Sequence, residues 1–171
     1  DFDGTDDFVS CGTSGTLAPA TGTIVVWVKS DEIIADKYFI GMGTTNTDSM
    51  YFGQTGGTGQ NVGFTIKKAN VWAGATTIIS TDTTNYHLWI ATFDGVNLTL
   101  SKDAVRSAPV ASAFGLNHLS GTAFLIGKWI YGANNYFFNG QEGLVMMLSG
   151  EVWTQVQENQ FHRQTKHLFR V

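Results

Sequence analysis

His87-Leu88-Trp89-Ile90-Ala91-Thr92-Phe93-Asp94-Gly95-Val96-Asn97-Leu98-Thr99-Leu100 is the stretch whose reading decides the fold class. Two runs rich in aliphatic, aromatic and β-branched residues flank Asp94-Gly95, a pair that tolerates the positive φ angles of a type I′ turn, so the stretch predicts a tight β-hairpin. Runs of the same character recur at 7–11, 23–29, 38–41, 49–54, 62–67, 76–80, 123–128 and 143–148. Together with the hairpin they make about ten short strands separated by turn residues, the pattern of a sandwich. The expected fold is therefore all-β, a two-sheet antiparallel jelly-roll sandwich. A second turn is expected at Lys102-Asp103, followed by a short extended piece over 104–109. After the last strand, Thr154 and Gln157 have the spacing of a capping box and open one short C-terminal helix through about Arg163.

Composition narrows the function classes. The chain has 171 residues, 43% hydrophobic, 13% aromatic and 14% charged, with a formal net charge of −4, which fits one folded domain and excludes disorder. No internal repeat or linker divides it, so residues 1–171 read as a single domain; with no initiator Met and a strand almost at Asp1, it reads as the C-terminal module of a larger protein. The longest aliphatic and aromatic runs, 24–28 and 144–148, are far short of the roughly 20 residues of a spanning helix, so no membrane insertion is expected. Ten Lys plus Arg spread along the chain form no basic stripe, which argues against nucleic acid. The lone Cys11 cannot form an internal disulfide.

Catalytic signatures are missing. Glu32, Glu142, Glu151 and Glu158 never pair with an Asp at the strand spacing that β-sandwich glucanases use, and glycoside hydrolysis needs two facing carboxylates. No Gly-x-Ser-x-Gly elbow is present, and His87, His118, His162 and His167 lack zinc-ligand spacing. The chain reads as noncatalytic, with no metal and no cofactor. Asp1, Asp3, Asp6 and Asp7 could offer oxygens to calcium, but they read first as a solvated strand edge. Arg163, Lys166 and Arg170 suit a helix C-terminus.

Trp129-Ile130-Tyr131-Gly132-Ala133-Asn134-Asn135-Tyr136 combines rings with amides between two strands. Rings stack on the apolar faces of sugars while amides bond hydroxyls, so Trp129, Tyr131, Asn134, Asn135 and Tyr136 are candidate glycan-binding residues. Trp72, beside Ala73-Gly74 in an expected turn, joins them. The competing reading has Trp129 and Tyr136 closing the end of the core, and Trp27 and Trp89, inside strands, are assigned to the core. The Gly- and Thr-rich segment 41–63 is expected to supply loops around a short strand at 50–53.

Phe2-Asp3-Gly4-Thr5-Asp6-Asp7-Phe8-Val9 resembles the first strand of laminin G-like domains of the concanavalin A-like jelly-roll class, which often begin Phe-Asp-Gly-x-x-Asp-aromatic-Val. Thr23 to Lys29 with its central Trp27, Tyr86-His87 through Asp94-Gly95, and Phe138-Asn139-Gly140 through Leu148 with the Thr154 helix follow in the same order as in that class. Gly140-Gln141-Glu142-Gly143-Leu144-Val145 departs from the usual Gly-x-Ile-Asp-Glu-Val, so both family carboxylates are missing, and Tyr86 stands at a usual Trp position. The tail from Val156 to Phe169 looks most like that of such domains in phage structural proteins. The resemblance implies a noncatalytic carbohydrate-binding or adhesion module, extracellular or on a virion surface, whose partner is a glycan or polysaccharide. The alternative it leaves open is a decoration or assembly domain that binds a capsid or fibre protein.

Overall fold

The computed structural model of the chain describes residues 1–13, 15–43, 47–56 and 60–169. One antiparallel sheet has the order β1 (Phe2–Asp3), β15 (Asn139–Ser149), β3 (Gly22–Ser30), β8 (His87–Phe93), β9 (Asn97–Lys102) and β10 (Val105–Arg106), with β11 (Val110–Ala111) also pairing with β9. The second has the order β2 (Val9–Ser10), β12 (Phe124–Ile126), β4 (Lys37–Met42), β5 (Ser49–Thr55), β6 (Asn61–Lys68) and β7 (Val71–Ile79). A separate hairpin, β13 (Lys128–Tyr131) with β14 (Asn134–Phe137), completes the strands, and α1 (Gln155–Thr165) is the helix. The all-β sandwich with one short C-terminal helix is thus the architecture observed.

The two sheets enclose one core, in which Ile24, Val26, Trp89 and Phe93 of the first sheet meet Phe39, Phe52, Phe64 and Ile66 of the second. Strands β3 and β8 are apolar on both faces because both faces are covered. Val25, Trp27, Leu88 and Ile90 point away from the main core into a second cluster closed by Trp153, Phe161 and Phe169. That double burial explains why these strands read as continuous apolar runs. Strands β5 and β6 instead alternate: Met50 and Phe52, like Phe64 and Ile66, enter the core, and the residues between them face outward.

The C-terminal helix follows its capping signal. Thr154 accepts from Gln157 N while the Gln157 side chain bonds back to the Thr154 backbone. Its buried Glu158 is fixed by Arg106 and by Ser101 Oγ at 2.6 Å, which ties the helix to β9 and β10. Arg163 and Lys166 lie at its end, and Arg170 is outside the described residues.

Several sequence expectations need correction. The 87–100 hairpin forms, but of Asp94-Gly95 only Gly95 has positive φ, 85°. Asp94 instead accepts from the N–H groups of Val96 and Asn97, an Asx-type turn that needs no left-handed Asp. Both central residues have positive φ in the two-residue turns Ala69-Asn70 and Asp103-Ala104; the second turn therefore centres one residue later than expected. Residues 71–75 belong to β7 and do not form a turn, so Trp72 is a strand residue. Within 41–63 the strand expected at 50–53 forms as β5, Ser49–Thr55, and β6 starts at Asn61, while 44–46 and 57–59 lie outside the described residues. The segment from Trp129 to Tyr136 is itself a hairpin.

Candidate functional site

Antiparallel partners share a face, so the register of the second sheet places its outward residues in rows. Gly41, Tyr51 and Thr65 form one row, Ser49, Lys67 and Trp72 another, and Tyr38, Gly53 and Gly63 a third. The β13–β14 hairpin lies on this face. It approaches closely because Gly41 has no side chain: a Cβ there would stand 2.5 Å from the Lys128 carbonyl oxygen and 2.7 Å from Trp129 Cα. Any larger residue at position 41 would push the hairpin off the sheet.

The hairpin and the sheet together assemble a continuous aromatic cluster. The Trp129 ring meets Tyr38 at 4.9 Å, Tyr51 at 4.8 Å, Tyr131 at 5.2 Å and Tyr136 at 5.6 Å between centroids. Tyr51 extends the cluster to Trp72 at 5.9 Å, and the Lys67 ammonium lies 4.5 Å from the Trp72 centroid and 5.4 Å from that of Tyr131. These pairs are tilted or edge-to-face except Trp129 and Tyr136, which stack, and such contacts fix the rings' orientations. The candidates Trp129, Tyr131, Tyr136 and Trp72 are therefore neighbours on one face, although some 57 positions separate Trp72 from Trp129 in sequence. Asn134 and Asn135 are both exposed on β14, but only Asn134, opposite Tyr131, shares the face of the rings; Asn135, opposite Ile130, lies on the other face of the hairpin.

Exposure divides these residues by role. Trp129 is 5% exposed and Tyr38 3%, so both are supporting rings, whereas Trp72 is 49% exposed; Tyr51, Tyr131 and Tyr136 are half-buried. Trp129 lies outside the main core and covers the outer face of the sheet. Burial, with the hydrogen bond from Tyr38 Oη to Asp36 at 2.9 Å, holds the Tyr38 phenol well above its ordinary pKa, and burial raises that of Tyr51. Both phenols remain protonated donors. Sequence reading missed Tyr38, Tyr51 and Lys67; the period-2 alternation of 49–54, with Tyr51 facing away from Met50 and Phe52, was the signal available.

A second concavity lies on the opposite side of the sandwich. A cleft of about 570 Å³ is lined by Trp27, Tyr86, His87, Asp103, His162 and Phe169 among others. His87 bridges Asp103, 2.6 Å from Nδ1, and Asp82, 3.2 Å from Nε2. Burial raises the Asp103 pKa, but the bonds from His87 and the Leu88 N–H outweigh it and the net shift is downward. This bridge ties the turn at 103–104 to the segment before β8. At the N-terminus, the carboxylates of Asp3, Asp6 and Asp7 converge within 4.8 Å, all exposed. Two of them make turn bonds, Asp7 Oδ2 from Asp3 N and Asp3 Oδ1 from Thr5 N, which suits a solvated loop.

No family profile and no curated protein matches the chain. Solved structures do resemble it. Domain 4 of AbnA, an extracellular arabinanase of glycoside hydrolase family 43 from Geobacillus stearothermophilus solved with arabinotriose, superposes with a TM-score of 0.68 at 9% identity, covering 95% of this chain and 87% of that one. The CBM40 module of the Ruminococcus gnavus IT-sialidase, bound to α2,3-sialyllactose, superposes at 0.69 and 12% identity, covering 92% and 97%. A heptameric pentraxin from Limulus polyphemus gives 0.63 and 14%, covering 92% and 78%. The likeness is one of fold. It supports the concanavalin-like sandwich, while the chemistry of this chain must be argued from its own side chains.

Proposed function

We propose that the protein is a noncatalytic carbohydrate-binding module whose site is the outer face of the second sheet, around Trp72, Tyr51, Tyr131 and Tyr136, with Asn134 alongside. The observation that carries this reading is the gathering of six aromatic side chains from β4, β5, β7 and the β13–β14 hairpin onto one partly open face. Rings supported by other rings make rigid platforms for the apolar faces of sugars, and tyrosine hydroxyls and exposed amides answer the hydroxyl groups. The sugar-bound states of two structural neighbours, one with arabinotriose and one with sialyllactose, agree with this reading.

The carboxylates support a binding role without catalysis. Glu32 pairs with Lys37, Glu151 accepts from Trp153 Nε1, Glu158 is held by Arg106 and Ser101, and both oxygens of Glu142 are buried. Among the described residues, Asp36 is the carboxylate bonded to the cluster, through Tyr38, and a lone carboxylate supplies half of the pair that glycoside hydrolysis uses. The order of motifs resembling laminin G-like domains, and the phage-like tail, suit a module that works on an extracellular or virion surface, where it would serve attachment.

The test is a glycan array probed with the wild type and with Trp72→Ala and Tyr131→Ala. Binding of a defined glycan that either substitution abolishes is the expected result. Wild-type binding that survives both would remove the site from this face. Retention of a capsid or fibre protein, with no glycan bound, would replace the reading with an assembly role.

A further inference from the structure

Lys67 is 3% exposed, yet among the described residues its ammonium makes no ion pair and no hydrogen bond; its recorded neighbours are the rings of Trp72 and Tyr131. Of the other cations of the second sheet and its hairpin, Lys37 pairs with Glu32 at 2.9 Å and Lys68 is exposed, over the Phe114 ring. Lys128 is also buried between rings, those of Phe8 and Phe137, but on the side of β13 opposite Trp129 by strand alternation, so Lys67 is the buried lysine on the aromatic face. Lysine is seldom so deeply buried unless paired. Ring faces compensate part of the charge, but they accept none of the three N–H donors as an anion does.

Two further donors on this face lack acceptors. Ser49 Oγ, on the residue directly opposite Lys67 in the β5–β6 register, and Trp129 Nε1 are both buried without partners among the described residues. Donors from three elements thus collect around an aromatic platform with no acceptor assigned to them. A neutral sugar, which brings a donor with nearly every acceptor oxygen, fits this imbalance poorly; a sugar acid brings acceptors alone on its charged group. The chain as a whole carries −4, so attraction for an anion here would be local to Lys67.

Building on the glycan-binding reading above, we infer that the face selects an acidic glycan, one bearing a carboxylate or sulfate group that pairs with Lys67 between Trp72 and Tyr131. The rings supply stacking for the pyranose or furanose, and Lys67 decides between charged and neutral versions of the ligand.

Matched pairs test this: polygalacturonate against its methyl ester, α2,3-sialyllactose against lactose, and dextran sulfate against dextran, measured by calorimetry with wild type, Lys67→Met and Trp72→Ala. Methionine preserves the apolar stem between the rings, and thermal melting checks that the variant folds. In at least one pair the wild type should bind the acidic member tenfold or more tightly, with affinity falling as salt rises, and Lys67→Met should erase that preference while keeping the weaker neutral binding. The pair that responds tells carboxylate from sulfate. Equal affinity for both members of every pair, or a preference that survives Lys67→Met, would overturn the inference, even if Trp72→Ala still abolished binding and so left the glycan face standing. Absence of binding to all six probes and to the array would overturn both readings together.

Discussion

The outer faces of the two sheets have opposite fates. On the first sheet, Val25, Trp27, Leu88 and Ile90 are sealed by Trp153, Phe161 and Phe169 from the C-terminal segment. On the second sheet the covering element is a four-by-four-residue hairpin, and Trp72 remains half open beyond its edge. The covering elements match their surfaces. Aliphatic side chains on the first sheet have no means of satisfying water or a polar ligand, so a helix buries them; tyrosines and a lysine on the second retain polar tips that a partner can use. The difference teaches that one covered face stabilises the sandwich and the other is organised by ring contacts while staying accessible.

Removing the lid from the first face should have the largest effect. The Trp153 ring packs tilted against Phe161 at 5.1 Å and donates to Glu151, and its backbone N–H bonds Thr23 Oγ1. Trp153→Ala is expected to lower stability by about 3–5 kcal/mol, read from urea unfolding, while glycan binding by the folded fraction stays as in the wild type. Loss of glycan binding at full folding would show that the two faces are coupled.

The space between the sheets holds an anomaly that sharpens the contrast. Both Glu142 oxygens are buried without partners among the described residues, beside a Gly127 N–H already given to the Phe39 carbonyl at 2.7 Å. Burial holds this carboxyl well above the ordinary glutamate value of 4.5. The folded state therefore keeps a proton that the unfolded chain releases, so the contribution of this group to stability is largest below pH 4.5 and falls as pH rises toward the folded-state pKa. Glu142→Leu should raise stability near pH 8 by about 1–3 kcal/mol, the cost of an unsatisfied buried polar group, and flatten that pH dependence. A wild-type stability that climbs through the same range would contradict the burial.

On the open face, Trp72→Ala should change stability by less than about 0.5 kcal/mol, as for an ordinary surface site. It should weaken glycan binding at least tenfold, about 1.4 kcal/mol. A fall in stability comparable to that of Trp153→Ala would mean that Trp72 is structural. The smallest effect belongs to the cap: Thr154→Ala removes the oxygen that receives Gln157 N and should cost about 1 kcal/mol, fraying the lid without altering the aromatic face.

The hairpin at 87–100, the apolar runs of β3 and β8 and the Thr154 capping box were legible because each is a local pattern of propensity and periodicity. Trp129, Tyr131, Tyr136 and Trp72 were legible as residue types suited to sugars. Their adjacency was hidden, since it depends on the β13–β14 hairpin lying against Gly41 and on the β6–β7 register that brings Trp72 opposite Lys67. The Ala69-Asn70 turn was also hidden: alanine at positive φ is disfavoured locally, and it is held there by bonds from Ala69 N to Asp48 and from Asn70 N to the Thr47 carbonyl.

By itself the sequence determined that the chain forms strands, where most of them lie, and that a capped helix ends it, because backbone propensity and hydrophobic alternation act over a few residues. Only the tertiary structure decided which outward faces are covered, that Trp129 supports other rings while Trp72 stays open, and that Lys67 is buried between two rings, with no counter-ion among the described residues. Those outcomes depend on pairing between segments far apart in the chain, and local composition does not encode the register of such pairs.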